Sequence, residues 1–122
     1  FEIGGVQRGY INASGFNNGS DISLKENIED IDYGLDTVLS LKPRKFDWKS
    51  GDERDKADIG FIAQEVEKVD GLDVLVSEGW NIRTKKDDVK VVSYEKVVPI
   101  LVEAIKEQQK QIDELKEKLE SK

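Results

Sequence analysis

Apolar residues recur along this chain with two different periods. Over residues 20–40, Leu24, Ile28, Ile31, Leu35, Val38 and Leu39 return every three or four positions, the spacing of one helical face. Ser23, with Glu26 three residues on, fits a capping box that starts this helix, and Gly34 would split it in two. Pro43 stops helix propagation, and Arg44-Lys45-Phe46-Asp47-Trp48 then alternates polar with apolar, as a half-buried strand does. Residues 50–58 are charged and read as an exposed loop. After a short apolar run at 59–61, Ile62, Val66 and Val69 share a helical stripe, and Asp70-Gly71 marks a turn. Residues 72–76 and 89–92 are strand candidates, joined through a loop or hairpin over 79–88 that carries Trp80. Ser93 is placed to cap a long final helix beginning at Tyr94, with Pro99 near its start, where it removes a backbone bond and threatens a kink.

The final helix changes period. Val98, Leu101, Ile105, Gln108, Ile112, Leu115 and Leu119 follow alternating steps of three and four, the a and d positions of a heptad. Gln108 is polar at a d position, a register-setting device. Glu103, Lys106, Glu114 and Lys118 flank the seam as a solvated face. A stripe this narrow suits another helix better than a globular core, so self-association is expected. Isoleucine at a positions suits dimers or trimers, and the periodicity does not choose between them.

The first 19 residues stand apart. They hold five of the chain's ten glycines, three asparagines and only two charges, Glu2 and Arg8. Strand character is weak and confined to 6–12, with turn residues on both sides. This segment cannot make a core alone and reads as the end of an upstream β-rich domain. The chain has no methionine, and residue 1 is expected to lie inside a longer parent.

Composition narrows the chemistry. At 122 residues, one domain with short appendages is expected. Charged residues equal hydrophobic ones at 37% each, so the core is modest and a partner subunit would add stability. A net charge of −7 with no basic patch argues against nucleic acid or an anionic membrane as partner. There is no cysteine and no histidine, which removes disulfides, thiolate nucleophiles, zinc-thiolate sites and any histidine-based triad. No GxSxG elbow and no phosphate-binding loop is present. The acidic run Asp52, Glu53, Asp55 and Asp58 lacks metal-ligand spacing and reads as surface, so neither a metal nor a cofactor is expected.

One pair remains. Ser20 stands five residues before Lys25, directly after Gly15-Phe16-Asn17-Asn18-Gly19. A serine and a lysine can cut a peptide bond without histidine, provided the lysine is neutral when it takes the hydroxyl proton; burial or nearby positive charge achieves that. Lys25 lies between Leu24 and Ile28, so partial burial is expected. Positions i and i+5 differ by about 140° on a regular helix, so Ser20 must lie outside any helix carrying Lys25 and fold back, or meet Lys25 of another subunit. On spacing alone the simpler alternative stands: Ser20 or Asp21 as a helix N-cap and Lys25 as a surface lysine.

Three ordered motifs resemble a known family. They are Ser20-Asp21 with Leu24-Lys25 and Asn27-Ile28, then Leu39, Leu41-Lys42-Pro43, Phe46 and Trp48-Lys49, then Ile59-Gly60-Phe61-Ile62-Ala63-Gln64-Glu65-Val66. Together they resemble the C-terminal intramolecular chaperone, self-cleaving domain of bacteriophage tailspikes, tail fibres, neck appendages and endosialidases; a related domain occurs in a eukaryotic membrane-tethered transcription factor. The similarity spans about residues 20–119. Family members often carry a proline soon after the Ala-Gln-Glu-Val helix; Val69-Asp70-Gly71 has none.

The resemblance implies a homotrimer with bundled C-terminal helices that registers an upstream β-stem of the same polypeptide and then releases itself. By the same resemblance Ser20 is the nucleophile, Lys25 the general base and Asp21 the neighbour at the cut. The scissile bond is Ser20–Asp21, with Gly19–Ser20 as the alternative. The motif at 60–66 is structural. The expected architecture is α+β, a small mixed helix/strand domain with a long C-terminal helix forming a trimeric coiled coil. It divides into a β-stem remnant and cleavage region at 1–19, a globular chaperone domain at 20–93 and a coiled-coil helix at 94–122. Leu101, Ile105, Gln108, Ile112, Leu115 and Leu119 form the trimer interface. The implied setting is a virion tail fibre or spike precursor made in the bacterial host cytoplasm, with this domain released on maturation. Two other readings are a trimerisation domain that does not cut and a coiled-coil adaptor whose acidic globular part binds a protein.

Overall fold

The first residues form two small hairpins in the computed structural model, which describes residues 2–3, 5–13 and 15–121. Phe1, Gly4 and Ser14 of the expected stem segment, and Lys122 at the end of the expected coiled coil, lie outside the described residues. Strand β1 (Glu2–Ile3) pairs antiparallel with β2 (Val6–Gln7), and Gly5 between them takes φ 78°, a conformation that suits glycine. Strand β3 (Gly9–Asn12) pairs with β4 (Gly15–Asn18) in the register Gly9↔Asn18 to Asn12↔Gly15. The chain divides into two units, Phe1–Asp30 and Ile31–Lys122.

The helix expected over 20–40 forms only at its ends. A 3-10 turn covers Ile22–Leu24, and α1 is Leu35–Ser40. Lys25 leaves helical space at φ −126°, ψ 151°, and Asn27 sits at φ 53°. Charge explains the gap. In a helix Glu26 would face Glu29 and Asp30, and Glu29 would face Asp32, like-charge pairs at i+3 and i+4 that destabilise it. Leu24 and Ile28 of the predicted stripe are exposed, and of the helical remainder only Leu35 is buried.

In the second unit β5 (Arg44–Phe46) pairs antiparallel with β6 (Asp58–Gly60), a pairing the charged loop between them permits. Helix α2 (Ala63–Glu67) follows and buries Val66. The strand expected over 72–76 is instead a 3-10 turn at Asp73–Leu75, with β7 starting at Val76. Leu72 and Leu75, three apart, both point inward from this turn and are 0% and 1% exposed. Strand β7 (Val76–Asn81) pairs with β8 (Lys86–Val92), a longer hairpin than the sequence suggested.

A 3-10 turn at Tyr94–Lys96 leads into α3 (Val97–Glu120). Ser93 makes no side-chain cap; its amide donates to the Leu75 carbonyl at 2.7 Å and continues the hairpin side. Pro99 falls in the first turn of α3, where amides lack an intrahelical acceptor, so the helix runs through it without losing a bond.

Val66, Leu72, Leu75, Val97 and Ile100 make the core, with Tyr33, Val38, Leu41, Phe61, Val69, Val76 and Val92 packed around it. Gly34 admits the close approach of α1 to α3: a Cβ there would come within 2.9 Å of the Glu103 side chain. The Glu107 carboxylate then accepts from the Leu35 amide at 3.1 Å, capping α1 where glycine offers no side chain. Leu72→Ala is expected to lower stability by about 2–5 kcal/mol, since it empties a fully buried core position; urea unfolding measures it.

Candidate active site and assembly seam

Asp21 organises the first candidate site. Its backbone is extended and its Oδ1 accepts from the Ser23 amide at 2.9 Å, closing the Ile22–Leu24 turn. Hydrogen bonding by Ser23, through its side chain and its amide, holds the Asp21 carboxyl below its ordinary value. In place of the helix start expected at Ser23 and Glu26, Asp21 caps a 3-10 turn two residues upstream, with the Ser23 amide as donor. Ser20 precedes the turn and Lys25 closes it, the Lys25 amide donating to the Ile22 carbonyl at 3.2 Å. Across this turn Lys25 Nζ donates to Ser20 Oγ at 2.8 Å. Ser20 thus folds back onto Lys25 of its own chain. The partial burial expected for Lys25 is absent: both side chains are exposed in the single chain, as are Leu24 and Ile28 beside them.

The motif at 60–66 builds a second cluster. Phe61 and Tyr94 stack with ring centroids 5.6 Å apart, and Tyr94 Oη accepts from the Phe61 amide at 2.9 Å. A Cβ at 60 would lie 2.6 Å from that hydroxyl, so any larger residue must displace the Tyr94 ring. Glu65 takes two hydrogen bonds from Arg44, Nε to Oε1 at 2.9 Å and Nη2 to Oε2 at 2.5 Å. These contacts tie α2 to β5 and to the lead-in of α3. Trp48 Nε1 donates to Asp58 Oδ2 at 2.9 Å, and Trp48 meets the Phe46 ring edge-on at 5.1 Å. Gly60→Ala is expected to cost about 1–3 kcal/mol by pushing the Tyr94 ring aside, and Tyr94→Phe about 1 kcal/mol by leaving the Phe61 amide without its acceptor; thermal melts of both compare them. Tyr94 was read from sequence only as a helix start. Its hydroxyl bond to a residue 33 positions away carries no local signal.

Helix α3 shows two apolar faces. Val97, Ile100 and Ala104 are 6%, 3% and 4% exposed against the core. Leu101, Ile105, Gln108, Ile112, Leu115 and Leu119 are exposed, Ile105 at 64% and Leu119 at 70%. Val98 and Leu101 also line an apolar hollow of about 370 Å³ with Val38, Leu41, Pro43 and Phe61, and Val102 widens the seam at this end. Beyond Glu107 every described residue of the helix is exposed. That length, about 20 Å at 1.5 Å per residue, is covered by no packing partner among the described residues. No helix among the described residues is long and apolar enough to cross a membrane.

Residues 20–77 match the Peptidase_S74 family, described as chaperone of endosialidase. Over this stretch the chain is similar to the chaperone-of-endosialidase family. The match opens at Ser20 and takes in Lys25, the Arg44–Glu65 pair, Gly60 and the core residues Val66, Leu72 and Leu75. It ends in β7, so α3 and its seam lie beyond it, while Tyr94 ties α3's lead-in to the matched stretch. No curated protein matches the chain.

Proposed function

We propose that this chaperone-of-endosialidase domain trimerises through the α3 seam, registers an upstream β-stem in a phage tail fibre or spike precursor, and then cuts its own chain once at Ser20. The observation that carries the reading is the 2.8 Å bond from Lys25 Nζ to Ser20 Oγ, at the first residues of the family match. Ser20 is the nucleophile and Lys25 the general base. A neutral lysine accepts the hydroxyl proton as Oγ attacks a peptide carbonyl. An ester replaces the amide: a strained four-membered lactone if Oγ attacks the Ser20 carbonyl, and a Gly19 ester formed through a five-membered ring if it attacks the Gly19 carbonyl. The amine takes the proton from the lysine, and water hydrolyses the ester. The scissile bond is Ser20–Asp21, with Gly19–Ser20 as the alternative.

Exposure of the pair fits a reaction that waits for assembly. Lysine loses its proton readily only when desolvated or beside another cation, and a lone chain supplies no burial at Lys25. The exposed seam offers the means of association. Trimerisation at one end raises the local concentration of three stem segments and fixes their register, which non-local strand pairing reaches slowly by itself. A cut made afterwards removes the route back, so a kinetic barrier holds the product. The same exposure favours a second reading, a trimerisation domain of the same fold that never cuts. Light scattering together with a denaturing gel of the wild-type chain separates them: a trimer whose polypeptide stays whole supports the second, a trimer of shortened polypeptide the first, and a monomer at micromolar concentration contradicts both.

A further inference from the structure

Ser20 and Lys25 are exposed, and among the described residues no other side chain hydrogen-bonds either of them. A lysine has a long flexible stem, so a 2.8 Å contact between two exposed side chains needs a backbone that presents them to each other. That backbone is held at both ends. Upstream, the Gly19 amide donates to the Arg8 carbonyl at 2.6 Å, one rung past the Gly9↔Asn18 pair, so Ser20 begins where the β3–β4 ladder ends. Downstream, the Asp21 side chain takes the Ser23 amide, the Leu24 amide donates to the Asp21 carbonyl at 3.0 Å, and the Lys25 amide closes on Ile22. Only one of these bonds is made by a side chain, and it is the Asp21 cap.

We propose that Asp21 is a positioning residue for the cut: as a hydrogen-bond acceptor, and not as an acid, a base or a charge, its side chain holds the Ile22–Leu24 turn that presents Lys25 to Ser20. The cut itself rests on the function proposed above, but the geometry can be read without it. Asparagine caps a turn about as well as aspartate, whereas alanine cannot. The full chain carrying Asp21→Asn or Asp21→Ala is therefore compared with wild type by three readouts: cutting rate on a denaturing gel across pH, the amide-proton shift of Ser23, and the Nζ resonance of Lys25. The Asn variant is expected to cut within about twofold of wild type with the same pH profile, and to keep the Ser23 and Lys25 signals in place. The Ala variant is expected to move both signals and to cut about fivefold more slowly, the factor that loss of a typical cap implies, with its oligomeric mass unchanged. Slowing of the Asn variant to the level of Ala, with the Ser23 shift retained, would place the carboxylate in the chemistry and overturn the proposal. So would an Ala variant in which the Lys25 signal stays put. Should wild type not cut at all, the function fails, while the two resonances still decide the positioning role.

Discussion

Ser20→Ala is expected to leave the chain uncut, and Lys25→Ala to slow cutting by roughly 10²–10⁴-fold, the range a general base contributes. The chain lacks cysteine and histidine altogether, so no thiol or imidazole can take over the attack. Lys25→Arg is the sharper variant. Arginine keeps the positive charge and the reach to Ser20 Oγ, but a guanidinium stays protonated and cannot take the hydroxyl proton. It is therefore expected to be as slow as alanine while leaving the turn intact. None of these changes touches the core, because Ser20 and Lys25 are exposed and lie in the unit apart from Val66, Leu72 and Leu75. Time courses on a denaturing gel give the rates. An arginine variant that cuts as fast as wild type would mean that Lys25 positions the serine without acting as its base.

Ile105→Asp or Ile112→Asp is expected to convert a trimer to monomers at micromolar concentration, read as a threefold fall in mass by light scattering. Both side chains are exposed in the single chain, so the fold of the globular unit should be unaffected in near-UV circular dichroism. In a trimer each substitution places three carboxylates together in an apolar seam, which costs several kcal/mol unless they take up protons. The monomer should also lose helix signal. Beyond Glu107 the helix has no packing partner among the described residues, and an isolated stretch of that length is marginal in water. Gln108→Leu should act in the opposite sense, raising the melting temperature while loosening the register that a polar d residue sets. A Gln108→Leu chain that melts earlier than wild type would contradict placement of this residue in the seam.

The exposed heptad stripe of α3 was legible because its period differs from that of the core-facing residues on the same helix. Val97, Ile100 and Ala104 turn inward, while Leu101, Ile105 and Ile112 stay out, and only the second set continues past Glu107. Strand β5, helix α2 and the β7–β8 hairpin followed from alternation, stripe and turn residues. The stretch 20–40 misled, because apolar spacing describes which residues could share a face and says nothing of the charges between them. Glu26, Glu29, Asp30 and Asp32 oppose the helix that Leu24, Ile28 and Ile31 would otherwise line. Residues 72–75 misled for a related reason: inward residues three apart suit a 3-10 turn, and a short apolar run does not separate that from a strand. In the candidate site the pair Ser20 and Lys25 was legible as residue types only. Its contact depends on a turn capped by Asp21, and that cap replaces the helix start expected at Ser23. The Glu107 cap of α1 and the Tyr94 hydroxyl at Phe61 join residues 72 and 33 positions apart, which no local pattern encodes.

The most direct measurement is the intact mass of the wild-type chain, taken at intervals after its assembly state has been fixed by light scattering. Two fragments are expected whose masses sum to the full chain plus one water, divided at Ser20–Asp21 or at Gly19–Ser20, and appearing only once the chain is trimeric. A trimer that retains the single full-length mass under folding conditions would contradict self-cleavage at Ser20.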